Sequence, residues 1–318
     1  MRVSSAYKVQ YDVRPSKQTE RRIILDLLRA GSDVGIKLNR YQYLGFGGVR
    51  FYDFEMIFRH LGIRDMTSLE VDETLVARCR YSKPFGFIDF HDQKLDFYLQ
   101  RTVFKKPVIA WLDYDCVMDR SVVSDMRMIG ASIPVGSFVF VTIDAKIPPG
   151  MAAMLPRPRL AAVKEEYGEF ALVDRASELS PEQFPIFAER VLWASLSESL
   201  SKRSEGKFVP LMRIFYKDTT LMVTVGACLC DSKLEPVLRR RLNNDFKFLL
   251  PRADASPSLI PSFTLTPRER LLLDAAVTRP ANERSLRKTL KRLGFKSEEI
   301  TEYKRVFRFI PKYTESYI

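Results

Sequence analysis

Tyr41-Gln-Tyr-Leu-Gly45-Phe-Gly47-Gly48-Val-Arg50-Phe-Tyr-Asp-Phe54-Glu-Met-Ile-Phe58-Arg-His-Leu61 is the stretch that decides the fold. Tyr41–Gly45 reads as a short strand. It breaks at three glycines, residues that let the chain turn sharply and bring backbone close to a ligand. From Val49 the period changes to that of a helix, with Phe51, Phe54, Phe58 and Leu61 inward and Gly62 placed to stop it.

The same alternation continues outward. Ser16–Ala30 is an amphipathic helix with Ile23, Ile24, Leu27 and Leu28 on one face, and Gly31 stands where it should end. Downstream come a strand at Met66–Val71, a helix at Glu73–Tyr81, a strand at Gly86–His91 and a helix at Gln93–Phe104. Pro107–Asp113 and Ser137–Ile143 are too apolar to keep one face wet, and Arg120–Ser132 between them is helical. Strands separated by helices predict a parallel sheet covered on both faces. Met151–Ser180 reads as an irregular surface insertion. Ser180-Pro-Glu-Gln183 then opens a helix to about Lys202. Phe208–Tyr216 and Leu221–Leu229 are joined by only Lys217-Asp-Thr-Thr220, a link too short for anything but an antiparallel hairpin. This hairpin is expected to return into the same sheet.

Past Asp231 the pattern becomes helical and basic. Leu234–Leu242 is a short helix and Phe246–Pro261 reads as a linker. Thr266-Pro-Arg-Glu269 is a capping box opening a helix to Val277, and Arg284–Leu293 and Glu298–Phe309 follow. The reading divides the chain at residues 1–231 and 232–318. Of the net charge of +12, the segment from Ala227 to Ile318 carries +8 (19 basic, 11 acidic). Such a surplus suits an acidic partner.

Composition narrows the class. With 318 residues, 46% hydrophobic and 28% charged, the chain is globular. No apolar run is long enough to span a membrane, and the N-terminus lacks a stretch of signal-peptide length. Cys79, Cys116, Cys228 and Cys230 do not make a disulfide framework or paired zinc motifs, and two histidines do not suit a His-rich metal centre. The expectation is a reduced, cytoplasmic protein.

Ligands of open α/β sheets lie off the carboxyl ends of the strands. Five groups are expected there. Gly45, Gly47 and Gly48 follow the first strand. Glu70 ends the second, 23 residues beyond Gly47, where a carboxylate can accept from ribose hydroxyls; Asp72 stands two residues on. Asp89, His91 and Asp92 end the third. Asp113 and Asp115 end the fourth, as paired carboxylates suited to acid–base or orienting work. Asp144 ends the fifth. Each group also has a bland role: a tight turn, a solvated carboxylate, a helix cap. Arg14-Pro-Ser-Lys17-Gln18 is either a solvated helix start or a basic strip for a cofactor or an anionic substrate.

In this order of elements and motifs, from about Ser16 to Cys230, the chain resembles class I S-adenosylmethionine-dependent methyltransferases. The resemblance implies a mostly parallel, Rossmann-like, seven-stranded sheet ending in an antiparallel hairpin, with the small helical region appended. It implies that Gly45, Gly47 and Gly48 approach S-adenosyl-L-methionine, Glu70 binds its ribose, Asp89 or Asp92 meets adenine, and Asp113 flanks the methyl group. Asp113 and Asp115 are the implied catalytic pair. The stretch from Trp111 to Gly150 is similar to the O-methyltransferases that use a divalent metal, with Asp113 and Asp144 in two ligand positions and Ala145 in place of an Asn. Leu112-Asp113-Tyr-Asp115 lacks the prolines of the nucleic-acid amino-methyltransferase motif, which favours oxygen as the methyl acceptor.

Two other functions fit parts of the pattern. A nicotinamide-dependent oxidoreductase shares the glycine turn and Glu70 but not the terminal hairpin. A non-catalytic sensor or scaffold binding a nucleotide-like ligand fits the imperfect glycine motif. Neither the acceptor nor the oligomeric state is legible. Ten basic residues fall between Arg284 and Lys312, with Glu298, Glu299 and Glu302 against them and Tyr303, Phe307, Phe309 and Tyr313 interleaved. The expectation for 284–312 is weak, salt-sensitive nucleic-acid contact at most, set against a helical cap with a solvated basic face.

Overall fold

A computed structural model describes residues 14–203, 205–217, 220–250, 258–260, 265–279 and 282–311. They fall into two compact units: one holds the described residues among 25–215 and 220–258, the other those among 14–24, 216–217 and 259–311.

The chain enters through α1 (Pro15–Asp33). Gly31, expected to end this helix, lies inside it. A side chain there would meet the Phe138 ring at 3.1 Å, so the glycine serves close packing and the helix runs on two residues. Then come β1 (Gln42–Gly45), α2 (Tyr52–Leu61), β2 (Asp65–Leu69), α3 (Glu73–Ser82), β3 (Ile88–His91), α4 (Leu95–Arg101), β4 (Val108–Val117), α5 (Arg120–Ser132) and β5 (Phe138–Asp144). Gly62 caps α2 in the left-handed region, as its position suggests. Asp119 caps α5, its carboxylate accepting from the N–H groups of Ser121 and Val122.

The first part of the segment read as an irregular insertion is helix, α6 (Pro149–Ala152) and α7 (Pro156–Tyr167); residues 168–180 are 3-10 turns and irregular chain, as read. Its prolines misled the reading. Pro156 and Pro158 sit in the first turn of α7, where the missing N–H would have no intrahelical acceptor anyway. Arg159 ties the segment together, donating to the carbonyls of Met151, Ala152, Met154 and Leu179 at 3.0–3.1 Å. Tyr167 Oη donates to the Met118 carbonyl at 2.9 Å, pinning α7 beside the end of β4.

The first unit ends with α8 (Phe184–Glu198), β6 (Lys207–Lys217), β7 (Leu221–Cys230) and α9 (Leu234–Asp245). The α-helical part of α8 starts four residues after Ser180, whose carbonyl accepts from Phe184 N at 2.8 Å. Phe246 and Leu249, at the start of the expected linker, are buried; residues 251–257 and Pro261 lie outside the described residues. A three-residue strand, β8 (Ser258–Ile260), leads to α10 (Pro267–Thr278), α11 (Glu283–Arg292) and α12 (Ser297–Val306). The capping box of α10 is formed as read, Thr266 and Glu269 each accepting from the other's backbone.

Among the described residues the sheet has eight strands, one more than expected, in the order β3-β2-β1-β4-β5-β7-β6-β8. The first five pair in parallel, and β7 is antiparallel to β5. The expected α/β sheet with its terminal antiparallel hairpin is therefore present; Asp218 and Thr219 of the hairpin link lie outside the described residues. One face buries Leu44, Ala110, Leu112, Val139 and Val141 against α4, α5, α7 and α8. The other buries Tyr43, Phe54, Trp111 and Phe140, with Tyr43 edge-on to Phe54 at 4.8 Å. Gly130 of α5 brings α8 into close contact: a side chain there would run into Ser199, the C-cap of α8, and stand 3.2 Å from Leu196. No helix among the described residues is long and apolar enough to cross a membrane.

Candidate active site

Strand order reverses at β1, with β2 on one side and β4 on the other. Connections leave this point toward opposite faces, which opens a crevice off the carboxyl ends. Gly45 ends β1, in register with Ser68 of β2 and Trp111 of β4. Gly47 tolerates no side chain: a Cβ would lie 2.5 Å from the Phe51 ring and 2.7 Å from Ser68 Oγ. Its N–H donates to Ser68 Oγ at 3.1 Å. Gly48 has φ +51 and open space where a Cβ would be.

Phe51, expected inside the helix, precedes it. It takes the left-handed conformation (φ 49, ψ 25) with its ring fully buried, and its N–H donates to the Gly47 carbonyl at 2.9 Å. A left-handed phenylalanine is strained, by roughly 1–3 kcal/mol. Ring burial against Phe54 (5.4 Å) holds it there, and with it the glycine turn.

β2 stops at Leu69, so Glu70 and Asp72 stand just beyond it. Glu70 Oε1 accepts from the N–H groups of Val71 and Asp72 at 2.9 and 3.0 Å. Burial pushes this carboxyl up; the two N–H groups pull it down, and the negative charges of Asp72 and Asp115 raise it again. Asp115 of β4 and Glu70, just past β2, are therefore near enough to repel one another. Asp72 is the N-cap of α3, taking hydrogen bonds from Thr74 N and Oγ1.

Asp89 lies within β3 rather than past its end, and its Oδ2 is 2.8 Å from His91 Nε2. Asp92 lies past the end, paired with Arg80 at 3.0 Å. Both carboxylates are exposed.

Asp113, read as the last residue of the strand, and Asp115, read as just past it, both lie within it. β4 continues to Val117, and its register with β5 shifts between Asp113 and Val117: Asp113 pairs Thr142, and Val117 pairs Asp144. Three β4 residues thus oppose one of β5, a bulge that re-aims the intervening side chains. Asp113 is half-buried and Asp115 exposed. Asp144 is engaged at its own end, with Oδ1 accepting from Lys146 N (3.1 Å) and Thr220 Oγ1 (2.8 Å), and Lys146 Nζ at 3.5 Å from Oδ2. Among the described residues, no group of three or more His, Cys, Asp or Glu is arranged to hold a metal ion.

Tyr114, Phe46 and Asp125 join this edge, the last of them passed over by sequence reasoning. Tyr114, in the bulge, lies edge-on to Phe46 of the glycine turn, with ring centroids 5.0 Å apart. Its Oη donates to Asp125 Oδ2 of α5 at 2.6 Å. Burial pushes the Asp125 carboxyl up to about 6 against the pull of the Tyr114 hydrogen bond, with Asp96 and Asp119 adding to the rise and Lys94 opposing it. A signal was present: Asp125 interrupts the apolar stripe Val122, Val123, Met126 and Ile129.

In the second unit, the start of α1 is not a solvated strip. Ser16 to Arg21 are all buried. Lys17 Nζ is 2.7 Å from Glu20 Oε2 and donates to Tyr216 Oη at 3.3 Å.

A family model described as "Putative O-methyltransferase" matches residues 9–318. No curated protein matches the sequence. Among solved structures, an O-methyltransferase from Bacillus cereus in complex with SAH is 12% identical, covering 70% of this chain and 86% of its own, with a TM-score of 0.40. The N-methyltransferase NodS from Bradyrhizobium japonicum WM9, in complex with S-adenosyl-l-homocysteine, is 10% identical, covering 69% and 90%, with a TM-score of 0.38.

Proposed function

The chain belongs to the methyltransferase family whose model it matches over nearly its whole length, and from that membership we propose an S-adenosylmethionine-dependent enzyme that methylates an acceptor oxygen. The observation that carries the reading is the juxtaposition at the β1/β4 reversal: a braced glycine turn, Glu70 beyond β2 and the Asp113–Asp115 bulge of β4.

The residues fit the cofactor. Gly48 faces open space, and Glu70 Oε2 lies outside the backbone bonds that hold Oε1, accepting from the Cys79 thiol at 4.0 Å with room for a further donor. When bound, S-adenosylmethionine supplies a methyl group on a sulfonium. The chain's own work is positional. Gly45, Gly47 and Gly48 let backbone lie against the methionine portion, Glu70 accepts from the ribose hydroxyls, and Asp92, past the end of β3, is better placed than Asp89 for adenine. Asp113 orients the acceptor hydroxyl and takes its proton, and Asp115 is the second carboxylate of the pair. The antiparallel β7 speaks against a nicotinamide enzyme, whose second half ordinarily repeats the parallel pattern.

Calorimetry on the full chain tests the cofactor: S-adenosylhomocysteine should bind and NAD should not, and the reverse result would overturn the reading. Incubation of cell extracts with isotope-labelled S-adenosylmethionine, followed by mass spectrometry, should show the label entering an acceptor. Tight cofactor binding with no transfer would point instead to a sensor. With an acceptor found, Asp113→Ala should bind S-adenosylhomocysteine as the parent does and lose about 10²-fold or more in turnover. Full activity in that variant would remove Asp113 from the mechanism.

A further inference from the structure

The helices α10, α11 and α12 share a small core of Leu273, Ala276, Leu290, Ile300 and Tyr303. α11 contributes Leu286 and Leu290 to it. At 3.6 residues per turn, Arg284, Lys288, Lys291 and Arg292 fall within about 100° of arc on the opposite side, over about 12 Å of helix. All four are exposed. Of the neighbouring cations, Arg287 and Lys304 share Glu283 and Arg305 meets Glu302, while Lys296, just past α11, is exposed. Among the described residues, Arg284, Lys288, Lys291 and Arg292 take part in no ion pair. Four like charges aligned without counter-charges repel one another, and a polyanion laid along them relieves that repulsion while releasing its own counterions.

The chemistry of the partner follows from what surrounds the stripe. Base stacking, one expectation from the sequence, is not on offer: Tyr303 and Phe309 are fully buried, and Phe307 packs on Tyr303 with ring centroids 6.0 Å apart. Lys312 and Tyr313 lie outside the described residues. A membrane-surface helix would present a row of apolar side chains beside its cations, yet Leu286 and Leu290 face the core and Leu293, at the C-cap of α11, is the single exposed leucine of this segment. α12 opens with Glu298 and Glu299, both exposed, which keeps its N-terminus away from phosphates.

We propose that the Arg284/Lys288/Lys291/Arg292 face of α11 is a docking surface for the sugar–phosphate backbone of a nucleic acid, read without regard to base sequence. The inference is independent of the methyl-transfer reading. About four phosphate contacts on duplex DNA give a slope of log K against log salt near −3.6, a loss of about 10²-fold between roughly 50 and 200 mM salt.

The test is fluorescence anisotropy of the full chain with labelled duplex DNA, duplex RNA and single strands of unrelated sequence, at those two salt concentrations. Vesicles containing anionic phosphatidylserine form a parallel arm. The parent should bind every nucleic acid at low salt with similar affinity. Arg284→Ala/Lys288→Ala/Lys291→Ala/Arg292→Ala should lose that binding with an unchanged thermal melt, since alanine favours a helix. The charge-keeping variant Arg284→Lys/Lys288→Arg/Lys291→Arg/Arg292→Lys should retain it. No binding by the parent at low salt, equal binding by the alanine variant, loss in the charge-keeping variant, or tighter binding to the vesicles than to any nucleic acid would overturn the proposal.

Discussion

Gly47 shows how little freedom the site leaves a single residue. Its N–H is tied to Ser68, its carbonyl to Phe51, and its Cα faces the Phe51 ring. Gly47→Ala would press a methyl group into that ring at 2.5 Å, and Phe51 has no relaxed position to retreat to, since it is fully buried and already left-handed. We expect the turn to shift and affinity for S-adenosylhomocysteine, measured by calorimetry, to fall at least about tenfold, with overpacking costing roughly 1–3 kcal/mol of stability. A variant that binds as the parent does would remove the glycine turn from the cofactor site. Gly48→Ala is the companion change. It meets no neighbour within the chain, so a loss of stability there comes from the positive φ alone, and a loss of S-adenosylhomocysteine affinity beyond that comes from the methyl group entering the space assigned to the cofactor.

At the level of elements, the bulge in β4 and the carboxylate on α5 belong together. The bulge places Tyr114 against Phe46, and α5 supplies the acceptor for its hydroxyl. The Asp125 carboxyl titrates near 6 when folded and in the ordinary carboxylate range when unfolded. Between those values the folded chain holds the proton more tightly, so this group favours folding at low pH and that contribution is lost as pH rises through about 6. Asp125→Asn removes the titration while keeping an oxygen to accept from Tyr114. Relative to the parent, its melting temperature should therefore rise between pH 4.5 and pH 7, by an amount worth at most about 3 kcal/mol. An equal offset at both pH values would show that Asp125 does not titrate as its surroundings require. A second element-level test concerns the α5–α8 contact. Gly130→Ala places a Cβ 2.9 Å from Ser199 Cβ, which rotation about a side-chain bond does not relieve. The helices must separate, and chemical denaturation should show a loss of roughly 1–3 kcal/mol.

For the whole molecule, the two units divide the chemistry. The sheet unit carries the glycine turn, Glu70 and the β4 carboxylates; the other unit carries the α11 stripe and the buried Lys17–Glu20 pair. That second unit is assembled from three separate stretches of chain. Pattern reading works through neighbours in sequence, so it could not anticipate such a grouping. It took the first turn of α1 either as a solvated helix start or as a basic strip for a ligand. Burial of Lys17 beside Glu20 and Tyr216 arises from chain 199 residues away.

The alternation of apolar strands and amphipathic helices, and the four-residue link at Lys217–Thr220, were enough to read the layered α/β class and the closing hairpin, because period and loop length are local and leave few topologies. The places of the glycines and of Glu70 at strand ends were legible for the same reason. Tertiary structure alone decided three things. It made the proline-bearing 156–167 stretch a helix, because Arg159 and Tyr167 anchor it to distant carbonyls. It made Asp113 and Asp115 part of a bulged strand, because register is set by the partner strand and not by the strand's own residues. And it sorted the basic residues of the C-terminal helices into paired and free ones, a distinction that depends on which carboxylates the packing of α10, α11 and α12 brings within reach.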